Sequence, residues 1–332
     1  MRVFLTGGTG FIGQALTAAL IRRGWAVTAL VRDPGGAAAR ALVELGASLA
    51  PGDVTDRESM RAPMAGAEVV VHNAGWYEVG IGGAEAERRM EAVNVDGARN
   101  ALTLAHELGV PRIVHVSSVV APGSTGDVER DETYTRQVPP PNPYERTKAE
   151  AHAVALDLIG RGAPIVLAMP ASVFGPGDHA NVGILARMYV RGFAPPLTIG
   201  GGFRRSQVHV DDCAEGIALV AEKGMVGEAY LLSAGSPSYR ETYEIWATTP
   251  GGFKPLATVP RPLAVLSGAV AEPIQRWLRL PNLLSLDACR AAHTHYLYSG
   301  EKAVRELGWA PGDVRQRWLE TLAEERRRAG KR

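Results

Sequence analysis

The first 170 residues alternate between short apolar runs and longer segments with helical spacing. The short runs, at residues 2–6, 26–31, 47–50, 68–71, 112–116 and 165–169, have the length and apolar character of buried strands. Between them, apolar residues recur every three or four positions at residues 14–23, 37–45, 84–108 and 144–159, which predicts helices. This alternation predicts an α/β fold with a doubly wound parallel sheet.

The alternation breaks down after residue 173, where prolines, glycines and short apolar pieces dominate. Helices are predicted there at residues 182–191, 212–223 and 263–278. We therefore expect a nucleotide-binding domain at residues 1–173, to which residues 205–234 return, and a substrate-binding region at residues 174–204 and 235–325. The apolar stretch 263–270 predicts a buried helix, because no apolar run reaches the roughly 18 residues of a membrane span.

Three glycines stand at the first strand-to-helix turn. Gly7 allows a tight turn, Gly10 lets a diphosphate approach the backbone, and Gly13 lets the helix pack close to the strand. Phe11 and Ile12 belong to the same turn. The unpaired amides and the positive end of the helix can hold a diphosphate. The turn therefore predicts a dinucleotide site.

The end of the second strand decides which dinucleotide fits. Arg32 and Asp33 follow Val31 there. An arginine pairs with a 2′-phosphate, whereas a carboxylate hydrogen-bonds a ribose hydroxyl and repels that phosphate. We favour NADP, with Arg32 as the phosphate partner. The alternative is NAD, with Asp33 on the ribose and Arg32 as a solvated loop charge.

An acidic residue and an apolar one follow the third strand. Asp53 can accept a hydrogen bond from an adenine amino group while Val54 covers the ring. The alternative for Asp53 is a local turn. Asp56 is the expected N-cap of the next helix.

Small and aromatic residues follow the fourth strand. We assign Ala74 and Gly75 to the wall of the cofactor site, because small residues let the backbone pass close to a ligand. Trp76 and Tyr77 are candidate residues of a substrate lid, with a role in the core as the alternative. Asn94, on the long helix that follows, lies either beneath the active site or in a structural hydrogen bond.

The segment after residue 142 combines a helix start with a candidate catalytic pair. Asn142 is a plausible cap, and Tyr144 and Lys148 lie four residues apart on one helix face. An ammonium beside a phenol favours the phenolate, which gives a proton donor and acceptor for a carbonyl or alcohol. Ser117 and Ser118 stand at the end of the fifth strand, at the edge where open sheets bind ligands.

A second pair, Tyr298 and Lys302, has the same spacing. It lies near the carboxyl end, outside the alternating region, where Gly308 and Trp309 follow a short helical segment. We interpret Tyr298 as a packing residue.

Charge and cysteine content narrow the class of protein. The 36 basic and 35 acidic side chains nearly balance, so no global field favours nucleic acid or an anionic membrane. Cys213 and Cys289 form neither a disulfide framework nor a metal-spaced cluster, so we expect no metal and a reducing cytoplasm. The first strand begins at residue 2, which leaves no room for a signal peptide.

These residues resemble the extended short-chain dehydrogenase/reductases, or NAD-dependent epimerase/dehydratase family, over nearly the whole chain. The resemblance rests on Thr6-Gly7-Gly8-Thr9-Gly10-Phe11-Ile12-Gly13, Asp53-Val54, Asn94-Val95-Asp96-Gly97, Val116-Ser117-Ser118, Tyr144 with Lys148, Phe174-Gly175-Pro176-Gly177, His209-Val210-Asp211-Asp212 and Glu306-Leu307-Gly308-Trp309.

The resemblance implies a Rossmann domain with a smaller C-terminal α/β substrate-binding domain, and a homodimer formed through helices 84–108 and 144–159. It implies that Ser118 hydrogen-bonds the substrate oxygen, that Tyr144 exchanges the proton, and that Lys148 binds the nicotinamide ribose and lowers the phenol pKa. It also assigns cofactor contacts to Val116, Pro170, Ser172 and Val173.

Within the family, the chain looks most like the dihydroflavonol-reductase-like and hopanoid-associated sugar epimerase-like branch. The function expected is NAD(P)-dependent hydride transfer to or from a small-molecule ketone, aldehyde or secondary alcohol. Arg205 stands where nucleotide-sugar enzymes of this family carry an arginine, so a nucleotide-sugar epimerase or dehydratase is the alternative, and a non-catalytic dinucleotide sensor is a third. Candidate pocket residues are His179, Asn181, Arg204 and Arg205.

Overall fold

The computed structural model describes residues 1–77, 84–278 and 284–330. The strands in these ranges are β1 (Arg2–Thr6), β2 (Ala26–Val31), β3 (Ser48–Pro51), β4 (Val69–His72), β5 (Ile113–Val116), β6 (Ile165–Pro170), β7 (Ser172–Phe174), β8 (Leu197–Ile199), β9 (Gln207–His209), β10 (Ala229–Leu232) and β11 (Ala257–Val259). Seven of them form one parallel sheet in the order β10-β6-β5-β4-β1-β2-β3. The predicted doubly wound parallel sheet is confirmed.

The helices in the described ranges are α1 (Phe11–Arg22), α2 (Ala37–Glu44), α3 (Arg57–Met64), α4 (Ala84–Glu91), α5 (Gly97–Glu107), α6 (Pro143–Gly160), α7 (Asn181–Arg191), α8 (Val210–Lys223), α9 (Tyr239–Trp246), α10 (Arg261–Trp277), α11 (Leu286–Ala291), α12 (Glu301–Leu307) and α13 (Val314–Arg328). A π-helical turn, Ala92–Asp96, joins α4 to α5.

Two helical layers cover the sheet. Side chains that alternate along each strand point to opposite faces, so Leu5 packs with Leu16 of α1 and Ile217 of α8, whereas Phe4 packs with Leu102 of α5. Helices α3 and α6 share the second layer. The strand order reverses between β1 and β4, because β2 and β3 follow on one side of β1 whereas β4, β5 and β6 lie on the other. The crevice at the carboxyl ends of β1 and β4 is the place where such sheets bind ligands.

Helix α6 begins as its sequence predicts. The Asn142 side chain accepts a hydrogen bond of 2.9 Å from the amide of Glu145, and Pro143 occupies the first turn, where its missing amide costs nothing. A cap of this kind stabilises a helix by about 1 kcal/mol. The cap therefore fixes the first turn of α6, which carries Tyr144.

The remaining strands and helices form a smaller region beside the sheet. Strand β7 pairs with β9 and β8 pairs with β11, both in parallel. Helices α7, α9 and α13 enclose a second core that contains Trp246 and Trp318. The boundaries of the two expected domains stay a prediction.

The prediction of a buried helix at residues 263–270 is wrong. Helix α10 does cover this stretch, but Leu263, Leu266 and Val270 are 58%, 60% and 54% exposed. Its buried side carries Ala264 and Gly268 instead, and a Cβ on Gly268 would lie 3.0 Å from the Cys289 sulfur of α11. The described part of the chain contains no helix that is both long and apolar enough to span a bilayer.

Candidate functional site

The turn between β1 and α1 requires glycine at two positions. Gly7 has a φ of +72°, and a Cβ on it would lie 2.6 Å from the backbone nitrogen of Ala74. A Cβ on Gly13 would lie 2.0 Å from the carbonyl oxygen of Gly7, so the first turn of α1 packs on the loop rather than on the strand. Gly10, the N-cap of α1, contributes no side-chain cap. The first amides of α1, from Phe11 onward, can therefore bind an anion.

In the loop after β2, the Arg32 side chain is exposed, whereas the Asp33 side chain accepts a hydrogen bond within the loop. Asp33 accepts a hydrogen bond of 3.0 Å from the amide of Gly35. Arg32 is exposed, and within residues 1–77, 84–278 and 284–330 no hydrogen-bond or ion-pair partner holds it. The cation is therefore the group of this loop that a ligand can engage.

The loop after β3 folds on itself. The Asp53 carboxylate accepts hydrogen bonds of 2.9 Å from both the amide and the hydroxyl of Thr55, which is the local turn that the sequence also allowed. Val54 is buried against Gly97 of α5, where a Cβ would lie 2.8 Å from the valine side chain. Asp56 caps α3 by accepting from the amide of Glu58, as predicted.

Asn94 ties the loop after β4 to α6. Its side-chain oxygen accepts from the amide of Trp76 at 2.6 Å, and its side-chain nitrogen donates to the carbonyl of Trp76 at 3.1 Å and to the Thr147 hydroxyl at 3.0 Å. A Cβ on Gly75 would lie 3.4 Å from the Asn94 oxygen and 4.0 Å from the Lys148 ammonium. The π-helical turn brings Asn94 inward, so the predicted helix 84–108 is interrupted where the site needs this contact.

Tyr144 meets Ser118 and Tyr77. The Ser118 hydroxyl hydrogen-bonds the phenol, and the Tyr77 ring, which is half exposed, packs edge-on at 4.8 Å between ring centroids. Burial raises the pKa of Tyr144 above its ordinary value, and the Ser118 hydrogen bond opposes that rise. The phenol is therefore a neutral hydrogen-bond donor at physiological pH.

Lys148 lies one turn further along α6 and is buried. Its ammonium donates to the carbonyl of Val116 at 3.2 Å, and burial lowers its pKa to about 8. Burial of the phenol sets the net upward direction of the Tyr144 pKa, and the expectation that Lys148 opposes this rise stays a prediction.

The two neighbouring serines have different partners. The Ser117 hydroxyl lies 2.9 Å from Nδ1 of His152, on the buried side of α6, whereas Ser118 lies at Tyr144. Burial lowers the pKa of His152 to about 4, so its ring is neutral at pH 7. Of the two serines, Ser118 is the one beside the phenol.

Arg205 lies among tyrosines near Tyr144 and Tyr77. Its guanidinium is 3.4 Å from the Tyr239 hydroxyl and 4.7 Å from the centroid of the Tyr296 ring. Its charge acts on the pKa values of both Tyr77 and Tyr144. No carboxylate of the described residues pairs with it. The cleft therefore contains a cation that a substrate oxygen can meet.

The other candidate residues lie at different places around this cleft. Pro170 ends β6, and Ser172 and Val173 pair with β9. His179 and Arg204 are exposed, and the Arg204 side chain donates to the carbonyl of Ser236. Asn181 begins α7. The candidate lid residue Trp76 carries Arg89 over its ring at 3.8 Å, and the rest of that segment, residues 78–83, lies outside the described residues.

A buried network at Glu145, the neighbour of Tyr144, was not predicted from the sequence. Glu145 accepts a hydrogen bond of 2.5 Å from the Tyr296 hydroxyl and lies 3.3 Å from the Arg136 guanidinium. From the sequence, Glu145 is an ordinary acidic residue in the first turn of a helix, where acids are favoured. Its partners come from distant segments, so no local signal could reveal them.

Tyr298 belongs to the core, as interpreted from the sequence. It is buried, and its hydroxyl donates to the carbonyl of Gly123 at 2.5 Å. Lys302 pairs instead with Glu228 at 2.7 Å. Tyr298 and Lys302 therefore have different partners and do not act as a pair, and Tyr298 makes none of the hydrogen bonds of Tyr144.

Fold and site together define a Rossmann-type dinucleotide-binding protein with a tyrosine and a lysine beside the ligand edge of its sheet. The model of the NAD dependent epimerase/dehydratase family matches residues 3–233. The chain belongs to this family, and it is an NAD(P)-dependent oxidoreductase of the extended short-chain dehydrogenase/reductase type.

Two curated relatives and one solved structure extend over nearly the whole chain. The 4-hydroxy-2-methyl-3-oxo-4-farnesyl-3,4-dihydroquinoline-1-oxide ketoreductase of Stigmatella aurantiaca is 31% identical over 98% of this chain and 96% of its own length. A dihydroflavonol 4-reductase-like protein of Synechocystis sp. is 30% identical over 94% and 91%. The crystal structure of gox2253 superposes with a TM-score of 0.82 at 28% identity, covering 100% of this chain and 99% of that one.

Proposed function

We propose that this protein is an NADP-dependent reductase that acts on a ketone, with Tyr144 as the general acid. Tyr144 keeps its proton at physiological pH, so it can donate that proton to a substrate oxygen that gains negative charge. The curated relatives, a ketoreductase and a dihydroflavonol 4-reductase-like protein, support a ketone as the reacting group.

The observation that carries the proposal is the arrangement of three side chains at one edge of the sheet. Ser118 follows β5 and reaches the Tyr144 hydroxyl, and Lys148 is anchored on the carbonyl at the end of the same strand. A substrate oxygen placed between Ser118 and Tyr144 would receive two hydrogen bonds, which stabilise developing negative charge.

The residues around the crevice fit a dinucleotide. The glycine turn leaves the first amides of α1 without a side-chain cap, and Gly75 leaves space beside Lys148 that a Cβ would fill. Arg32 would hold a 2′-phosphate, and Lys148, with hydrogens left after its bond to Val116, would hold ribose hydroxyls. Bound NADPH would supply the hydride.

The chain's own groups would handle the proton. Tyr144 would donate its phenolic hydrogen to the substrate oxygen and become a phenolate. The Lys148 ammonium, one turn away on α6, would stabilise that anion until a proton returns from solvent. Arg205 would orient a second oxygen of the substrate.

Replacing Tyr144 by Phe tests this proposal. We expect turnover to fall by about 10²- to 10⁴-fold, the usual contribution of a positioned acid or base, while the affinity for NADPH stays nearly unchanged. The matched control is Tyr298→Phe, which removes a core hydrogen bond and about 1 kcal/mol of stability but no group of the site. Steady-state kinetics with a panel of ketones and NADPH fluorescence titration measure both. Undiminished turnover in Tyr144→Phe would remove this residue from the mechanism.

A nucleotide-sugar epimerase or dehydratase is the second candidate, and Arg205 favours it. The Arg205 guanidinium, which no carboxylate of the described residues pairs with, could bind a diphosphate as well as a ketone oxygen. Such an enzyme returns the hydride to its substrate and consumes no cofactor. Net oxidation of added NADPH by a ketone supports the reductase, whereas sugar-nucleotide conversion without net NADPH consumption supports the epimerase or dehydratase.

We also propose a cytoplasmic homodimer. Two buried, unpaired cysteines, Cys213 and Cys289, suit a reducing compartment. The exposed side of α6 carries Leu156, which suits a contact between protomers.

A further inference from the structure

Helix α10 has its polarity reversed relative to an ordinary surface helix. Its outward face carries Leu263, Leu266, Val270, Ile274 and Trp277, which are 58%, 60%, 54%, 50% and 82% exposed. These positions are three or four residues apart and form one continuous stripe. Ala269 and Pro273, also exposed, lie between them, so the stripe contains no charged residue.

Two polar side chains of α10, Glu272 and Gln275, turn toward the protein. Glu272 accepts a hydrogen bond of 3.1 Å from the amide of Leu286, and Gln275 donates to the carbonyl of Leu284 at 2.8 Å. Ser267 donates to a carbonyl within the helix. These bonds fix the rotation of α10 against α11, so its apolar stripe cannot turn inward without breaking them. An exposed apolar surface held in this way marks an interaction site.

The distribution of charged residues near α10 indicates which kind of partner its apolar stripe binds. Residues 179–210 and 245–271 contain no aspartate or glutamate but six arginines and lysines, although the whole chain is nearly neutral. Pairing of β8 with β11 joins these two acid-free segments. Arg191, Lys254 and Arg261 are exposed in them, and none has an acidic partner within the described ranges. The partner of this surface is therefore apolar in its interior and negatively charged at its boundary.

Further apolar side chains lie in the same two segments. Phe193 and Leu256 are 75% and 83% exposed, and the amide of Leu256 donates to the carbonyl of Pro196 at 2.8 Å. A second copy of this chain fits this surface poorly, because a twofold contact would place each cationic boundary against its own counterpart. An anionic bilayer offers both an acyl layer for the stripe and phosphate groups for the cations.

We propose that the outward face of α10, with the cations of the acid-free segments around it, docks on the surface of an anionic lipid membrane. The helix lies in the plane of the interface and does not cross it. Leu263, Leu266, Val270 and Ile274 enter the acyl boundary, and Trp277 lies at the headgroup level, where indole rings are enriched. Lys254 and Arg261 contact lipid phosphates.

Sedimentation of the full-length protein with vesicles tests the proposal. We expect binding to phosphatidylcholine vesicles that contain about a third phosphatidylglycerol, weaker binding to pure phosphatidylcholine, and release at high salt. The double variant Leu266→Glu/Val270→Glu should bind at least roughly tenfold more weakly, because two charges would enter the acyl boundary. The control Val43→Glu/Val304→Glu makes the same change at two exposed sites outside this surface and should bind like the wild type.

The cations are tested separately. Lys254→Gln/Arg261→Gln should weaken binding to the anionic vesicles by roughly fivefold for each charge removed and leave binding to pure phosphatidylcholine unchanged. Circular dichroism and NADPH affinity of every variant report whether the fold is intact, so a loss of vesicle binding with both unchanged belongs to the surface alone.

Three results would overturn the proposal. The first is no binding of the wild type to anionic vesicles at low salt. The second is equal binding by Leu266→Glu/Val270→Glu. The third is a concentration-dependent dimer that dissociates in this variant without any vesicle binding, which would make the stripe a contact between copies of the chain.

Discussion

Ser117 and Ser118 have different roles because they follow β5 as consecutive residues of an extended chain, so their side chains point to opposite sides. Ser117 faces into the second helical layer and bonds His152, whereas Ser118 faces the ligand edge and bonds Tyr144. Alternation along an extended chain predicts that the two serines point to opposite sides, but it does not predict which of them has the phenol as its partner.

In the loop after β2, Arg32 is free to meet a ligand whereas Asp33 is hydrogen-bonded within the loop, so the cofactor preference should depend on Arg32. Arg32→Ala should weaken NADPH binding by about 10- to 100-fold, the value of a charged hydrogen bond to phosphate, and should change NADH binding little. Fluorescence titration with both cofactors measures the two losses. Equal losses, or a loss for NADH alone, would contradict the assignment of NADP.

Among the elements, those of the first 170 residues were predictable because each one satisfies its own local rules. Strands β1, β2 and β5 are short, mostly apolar runs, and α6 has a cap, a first-turn proline and no breaker. The predicted helix at residues 14–23 instead begins at Phe11, because Gly10 caps it without a side chain that a sequence could reveal.

The orientation of elements whose packing partners are distant in sequence was not predicted correctly. An apolar stripe at helical spacing predicts α10, and such a stripe normally faces the core. Here the hydrogen bonds of Glu272 and Gln275 to the segment before and within α11 hold the helix the other way round. The π-helical turn at Asn94 has the same origin, since its bonds to Trp76 and Thr147 come from two other elements.

The interior between β4, β5 and α6 contains the buried rings of His72 and His115 and the half-buried ring of His152, which makes the fold sensitive to acid. Burial lowers the pKa of His72 to about 3 and of His152 to about 4, and that of His115 also falls well below its ordinary value. Each ring is neutral when folded and takes up a proton when unfolded below about pH 6.5. Stability is therefore complete above that pH and falls as the pH drops toward 4.

Replacing His152 by Asn should reduce this acid sensitivity. Asparagine can still hydrogen-bond Ser117 but does not titrate, so the loss of unfolding free energy between pH 6.5 and pH 4 should become shallower by up to about 1.4 kcal/mol per pH unit. Urea unfolding at several pH values measures the slope. His179→Asn makes the same substitution at an exposed ring and is the matched control. An unchanged slope in His152→Asn would contradict the neutral imidazole.

For the whole molecule, the balance of charges hides an uneven distribution. The 36 basic and 35 acidic side chains give no overall field, yet the acid-free segments carry a local excess of cations beside the stripe of α10. Helix α10 packs on α11, where burial and the charges of Glu272 and of Glu145, the neighbour of Tyr144, raise the pKa of Asp287. The proposed membrane surface therefore lies on the same part of the molecule as the amino end of α6.

Exposed apolar residues of α6 and of α10 are proposed to contact a second protomer and a membrane, respectively. One experiment distinguishes these two contacts. We expect the protein to sediment as a dimer, at twice the 35.3 kDa of its chain, through the α6 surface that includes Leu156. Leu156→Glu places a like charge opposite itself across a twofold contact and should shift the protein toward the monomer, whereas Leu266→Glu should leave the dimer intact. Analytical ultracentrifugation over a range of concentrations measures both. A wild type that stays monomeric at all concentrations would contradict the dimer, and dissociation by Leu266→Glu alone would move the protomer contact to α10 and leave that helix no free face for a membrane.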